Sequence, residues 1–220
     1  RFCDRVGNVP TPFGVCQTIG NAVPGGGEEI VLPTPIVFYS NDGNDPDVTR
    51  VGGEDIRAGI ECEDAIASQF DGSTQYLDAD IDASKVNIGA GAFTAVVRFN
   101  TVELDFGDIL AGDGAGDSVR VGTTSGGSLV FRTASVSYFS DPIVTQGTWV
   151  LGIVTCTGSG GTYTIYIDDM DNPNDTGTVT AYNMTTFSDL KIGTSSNAGS
   201  RFFDGAIDTV AIYDEVLSQG

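Results

Sequence analysis

The sequence predicts an all-β protein, a two-sheet antiparallel sandwich, and three observations carry that prediction. Apolar residues recur with period two, along Trp149, Leu151 and Ile153 and again along Tyr163, Ile165 and Ile167, which is the spacing of a strand with one face packed on a core. In the closing run, Ile207, Thr209, Ala211 and Tyr213 alternate with Asp208, Val210 and Ile212 in the same way. Thirty glycines, with Asn, Asp, Ser and Thr throughout, divide the chain into many short apolar runs, the pattern of strands joined by tight turns. The one segment with helical character, residues 61–68, spans barely two turns.

Taken in order, residues 1–33 hold Pro10, Pro12, Pro24, Pro33 and the glycines at 25–27. Such a composition favours irregular, extended backbone, so it reads as an arm or linker ahead of a core domain at 34–220. Residues 36–39 are a strand candidate, followed by a turn-rich loop at 41–47. Residues 69–78 come next, and then residues 93–99, where Phe93, Ala95, Val97 and Phe99 share a face. Residues 118–121 and 128–132 flank a Gly-rich turn and form a hairpin. Residues 157–162 turn the strand that starts at Trp149 back into the Tyr163 strand. At 220 residues, such a sandwich is expected to form a single domain.

Ten basic and thirty acidic residues give a formal charge of −20, which repels a phosphate backbone and argues against nucleic acid as a partner. No run approaches the roughly 18 apolar residues of a membrane span, and no signal peptide is legible. Beginning at Arg1 rather than Met, the chain reads as a processed product or part of something larger. Cys3, Cys16, Cys62 and Cys156 point to an oxidising compartment and allow three pairings. Cys3 with Cys16 closes a small loop most naturally, leaving Cys62 with Cys156; two buried free thiols are the alternative. With no His and no Cys-x-x-Cys, His-dependent catalysis and a zinc centre are not expected.

Five elements in order resemble the laminin-G-like branch of the concanavalin A-like lectin/glucanase superfamily, over roughly residues 35–218. They are Phe70-Asp71-Gly72 through Tyr76, Phe93-Thr94, Gly147-Thr148-Trp149, Leu190 to Gly193, and a closing segment from Phe203 to Tyr213. Many relatives carry His after the Trp, where this chain has Val150 and Leu151. The resemblance implies a jelly roll, an architecture that hosts lectins, adhesion modules, virion surface proteins and glycosidases alike.

Two sets of residues could carry chemistry. Glu103, Asp105 and Asp108 resemble the Glu-x-Asp-x-x-Glu motif of the superfamily's laminarinases and agarases. The resemblance would make Glu103 the nucleophile, Asp105 its assistant and Asp108 the acid of a retaining β-glucan hydrolase, with the outer carboxyls about 5–5.5 Å apart. Asp in the last place shortens the acid's reach, Gly107 reads as turn, and a single Trp is few for stacking sugar rings. Calcium seeks six to eight oxygens in irregular loops. Asp42, Asn44, Asp45 and Asp47 are the preferred set, ahead of Asp113 with Asp117 and of Asp168, Asp169, Asp171, Asn172 and Asp175. The resemblance implies a structural Ca²⁺ in such turns; Asx-turn chemistry explains the same residues without metal. Tyr138, Phe139, Tyr182 and Phe202 are expected to pack in the core or at sheet edges.

The function expected is a non-catalytic binding or adhesion module. It would recognise glycan or protein on a secreted, cell-surface or virion-surface protein. A decoration or assembly subunit, with the N-terminal arm reaching onto neighbouring subunits, and the glycan hydrolase are the alternatives.

Overall fold

The computed structural model describes residues 37–40, 48–51, 55–58, 66–79, 88–113, 119–133, 136–183 and 189–217. Within them run fifteen strands and no helix. The strands are β1 (Val37–Ser40), β2 (Val48–Val51), β3 (Asp55–Ala58), β4 (Ile66–Asp71), β5 (Tyr76–Ala79), β6 (Phe93–Thr101), β7 (Asp108–Asp113) and β8 (Val119–Thr123), then β9 (Leu129–Thr133), β10 (Val136–Phe139), β11 (Trp149–Cys156), β12 (Thr162–Ile167), β13 (Asp175–Thr178), β14 (Asp189–Ile192) and β15 (Asp204–Tyr213). The expected arm at residues 1–33 lies outside the described residues. Of the segment with helical character, residues 66–68 open β4 instead and residues 61–65 lie outside.

The strands form two antiparallel sheets, as expected. One runs β13-β12-β11-β6-β15-β4-β3, with β1 also paired to β15; the other runs β10-β9-β8-β7-β14-β5-β2. Their inner faces make one core. β6 contributes Phe93, Ala95, Val97 and Phe99, β11 and β12 contribute Val150, Val154 and Ile165, and the second sheet answers with Leu110, Val121, Leu129, Phe131 and Ile192. Period two in the sequence thus becomes inside and outside in the sandwich. On β11, however, the inward set is Val150, Val154 and Cys156, while Ile153, with Leu151 against it, lies in an apolar cluster on the other face. No helix among the described residues is long and apolar enough to cross a membrane.

β15 departs from simple alternation. Its register against β6 shifts between Ile207 and Thr209, a bulge that adds one residue and reverses the facing of the residues beyond it. Ile207 therefore shares the core with Val210 and Ile212. Ala211 and Tyr213, expected on the face of Ile207, lie instead in a second apolar cluster with Val96, Ile153 and Leu217. At the bulge, the Asp208 carboxylate meets the Arg98 guanidinium at 2.8 Å, and that guanidinium lies 4.8 Å from the Trp149 ring centre.

Cys156 sits in the core with a free thiol. Cys156, expected to pair with Cys62, falls on the inner face of β11, where its Sγ lies 3.4 Å from Tyr182 Oη. Cys3, Cys16 and Cys62 lie outside the described residues.

Candidate functional site

At one end of the sandwich the β6–β7 loop, residues 102–107, meets the loop entering β15 and the turn after β4. Two buried threonines hold the first loop by its backbone. The Thr101 hydroxyl donates to the Glu103 carbonyl, and the Thr123 hydroxyl donates to the Asp105 carbonyl at 3.0 Å. The Val102 amide donates to the Asp204 carbonyl and the Thr123 amide to that of Gly107. With their carbonyls held, Glu103 and Asp105 leave their carboxylates exposed.

The Phe-Asp-Gly turn supplies the opposite wall. Asp71 accepts from the amides of Ser73, Thr74 and Gln75 at 2.8–3.0 Å and from the Thr74 hydroxyl at 2.7 Å. Against the upward push of burial, these bonds hold its carboxyl well below the ordinary range. Gly72 follows with φ +68°, and a Cβ there would come within 2.9 Å of Asp204; only glycine lets the turn approach β15 so closely. The Gly72 amide donates to the Phe203 carbonyl at 3.1 Å.

Between these walls lies a pocket of about 220 Å³ lined by Asp71, Glu103, Asp105 and Asp204, by Thr101 and Thr123, and by Gly72, Gly107, Phe202 and Phe203. Burial first, then the charges of Glu103 and Asp71, raise the Asp204 pKa. Four carboxylates make the pocket a set of hydrogen-bond acceptors and disfavour anions. Half-buried Phe202 and exposed Phe106 and Val102 give it an apolar margin. No group of three or more Asp, Glu, Cys or His among the described residues is placed to hold a metal ion.

Of the expected glycosidase trio, the pocket thus joins Glu103 and Asp105 but not Asp108. Asp108 opens β7, is 1% exposed, and is flanked by Arg120 at 3.5 Å and Arg201 at 3.9 Å. Burial pushes its pKa up to about 6, and the charges of Arg120, Arg201 and Arg132 only partly offset this. The folded state therefore binds this proton more tightly than the unfolded chain. Stability from this group is complete below the ordinary value of 3.8 and is lost as pH rises through about 6. The loss is about 3 kcal/mol. Urea unfolding from pH 4 to pH 7 is expected to show this component in the wild type and not in Asp108→Asn; parallel profiles would refute it.

The preferred calcium residues Asp42, Asn44, Asp45 and Asp47 lie outside the described residues, as does Asp117. In the third acidic loop the polar groups serve the loop itself. Asp169 accepts from the Asp171 amide and the Asn172 side chain, Asn174 accepts from the Ile167 amide, and Asp168 accepts from the Leu151 amide. The Asp169 bonds are Asx-type, while those of Asp168 and Asn174 tie the loop to β11 and β12. Tyr138 and Tyr182 are buried as expected, whereas Phe139 is 50% exposed and Phe202 lines the pocket. Asp71 and Asp204 are the site residues that sequence reasoning did not single out. Both stand inside the motifs that signalled the fold, and a carboxylate beside the glycine of each was the available clue.

A family model of the laminin G type, described as the concanavalin A-like lectin/glucanases superfamily, matches residues 71–220. The chain belongs to this family. No curated protein sequence matches it. Among solved structures, it is similar to domain 4 of AbnA, an extracellular GH43 arabinanase from Geobacillus stearothermophilus, in complex with arabinotriose. There the TM-score is 0.60 at 15% identity, covering 84% of this chain and 94% of that one. It is similar to the CBM40 of Ruminococcus gnavus IT-sialidase bound to α2,3-sialyllactose, with TM-score 0.56, 12% identity, and coverage of 84% and 95%. It is also similar to the receptor-binding domain of the botulinum neurotoxin C/D mosaic serotype, with TM-score 0.60 and 10% identity. Here 84% of this chain is covered, and the chain spans about half, 48%, of the toxin domain. At such identities the likeness concerns the fold.

Proposed function

We propose that this chain is a non-catalytic saccharide-binding module of a secreted or surface-exposed protein, and that one end of a glycan enters the acidic rim pocket. The observation that carries this reading is the convergence of Glu103, Asp105 and Phe202 on one small pocket. A sugar ring presents hydroxyl donors at its edge and C–H groups on its face, so carboxylate acceptors beside an aromatic ring complement it. A pocket of about 220 Å³ falls below the ~300 Å³ at which drug-sized sites begin, which suits a single ring or chain end. Its four carboxylates favour a neutral sugar. The arabinotriose and sialyllactose in the AbnA domain and the CBM40 support a glycan on this fold; the toxin receptor-binding domain supports a protein ligand as the alternative.

A binding role is favoured over hydrolysis by the position of Asp108. Retaining cleavage requires both carboxyls to open on one cleft about 5–5.5 Å apart. Asp108 does not line the pocket and is buried between arginines.

Calorimetric titration with a panel of neutral oligosaccharides tests the proposal. The wild type is expected to bind at least one saturably and to hydrolyse none. A Glu103→Gln, Asp105→Asn double variant should bind ~10–100-fold more weakly, the cost of one or two charge-assisted hydrogen bonds, with an unchanged melting temperature. A blank panel, or release of reducing sugar from β-glucan, would overturn the reading.

A further inference from the structure

The outer face of the second sheet carries a concentration of positive charge in a chain of net −20. Arg120 in β8 stands directly opposite Arg132 in β9. Both point outward, since their neighbours Val119, Val121, Leu129 and Phe131 face the core. Arg201, from the loop before β15, reaches the same place, 3.9 Å from Asp108. Like charges opposed across neighbouring strands destabilise a sheet, and here three guanidiniums share one carboxylate. That carboxylate does not complete them. Among the described residues, the Nε atoms of Arg120 and Arg132 and the Oδ2 of Asp108 are buried without a hydrogen-bond partner.

The face is not sealed. The side chains of Arg120 and Arg201 are 19% and 37% exposed. Phe139 in β10, two residues along from Ser137, the cross-strand partner of Arg132, is 50% exposed. Residues so related across a ladder lie about 7–8 Å apart on one face, within reach of a sugar ring whose acidic group touches Arg132.

We propose that this arginine face is a second binding site, which takes an oxyanion, the carboxylate or sulfate of an acidic saccharide unit, on Arg120, Arg132 and Arg201, with the sugar ring against Phe139. Guanidinium forks match planar oxyanions in two-point hydrogen bonds, and an added anion offsets the cross-strand repulsion. The rim pocket, with its four carboxylates, rejects the same ligand, so this site does not rest on the pocket reading.

Thermal-shift and NMR titrations of the full chain with inorganic sulfate, glucuronic acid and glucose, at constant ionic strength in chloride, test the site. Sulfate or glucuronate is expected to bind saturably and raise the melting temperature, and glucose is expected not to perturb the residues of this face. A response to glucuronate alone assigns a uronate-type ligand, and a response to sulfate alone a sulfated one. Arg120→Gln and Arg132→Gln should each weaken anion binding by at least about ten-fold. In the chloride buffer without sulfate or glucuronate, Arg132→Gln should melt no lower than the wild type, because it removes a repelling partner. The pocket double variant should bind the anion normally. If Arg120→Gln does not fold, Arg201→Gln, on the exposed loop, is measured in its place. Absence of response to both anions, or unchanged binding in the arginine variants, overturns the proposal.

Discussion

Alanine at position 131 is expected to lower the unfolding free energy by ~3–5 kcal/mol, as for other fully buried aromatic rings cut back to a methyl. Phe131 is fully buried in β9 and joins the two layers. Its ring centre lies 5.8 Å from that of Phe93 in β6, 6.4 Å from Tyr163 in β12, and 5.6 Å from Tyr138 in its own sheet, where the two rings are stacked. Removing it leaves three aromatic rings facing a void that two rigid sheets cannot close. Chemical denaturation checks the loss, which should appear as a melting temperature lower by ~6–20 °C for a chain of this size. Phe131→Leu, which keeps most of the volume, should recover the larger part. A loss below ~1 kcal/mol for the alanine variant would mean that the ring is not packed between the sheets.

The second large effect is expected at Gly205, where alanine should cost ~3 kcal/mol from strain and overlap combined. Gly205 has φ +149°, and a Cβ on it would overlap the Asn100 carbonyl and come within 2.8 Å of Thr101 Cα. Those atoms are backbone of β6 in register with β15, so no rotamer change relieves the clash. The strands must part where Thr101 and Asp204 line the pocket. Gly205→Ala should therefore lose saccharide binding as well as stability, whereas Phe131→Ala, remote from the pocket lining, should keep its affinity at temperatures where it stays folded. Denaturant titration paired with calorimetry separates the two. Retention of full affinity and stability in Gly205→Ala would show that β15 has another way to pass β6.

Much of the fold was legible because strand periodicity is a local property. The inward set on β6 and the β8–β9 and β11–β12 hairpins are read from alternation bounded by turn residues, whereas the segment that becomes β14 is marked only by its resemblance to the family. Alternation failed within β15. The bulge beside Asp208 depends on how β15 pairs with β6, and nothing in its own ten residues announces the added one. The site was half legible. Glu103 and Asp105 could be picked out by motif, yet the same spacing placed Asp108 with them. In the folded chain, Gly107 ends the loop and Asp108 enters a strand, which carries its carboxylate to the arginines instead.

Cys156 makes the same point, for the cysteine count says nothing of its surroundings, while its place on the inner face of β11 buries it in the core. Taken alone, the order of amino acids determined an all-β sandwich with acidic loops and no histidine, because composition and period two act within a few residues; the family came from motifs that resemble it. Only the tertiary structure decided that Asp71, Glu103, Asp105 and Asp204 share one pocket, and that Arg120, Arg132 and Arg201 crowd around Asp108. Those groups come from strands and loops far apart in the chain, and their meeting is set by sheet register and by the packing of one layer on the other.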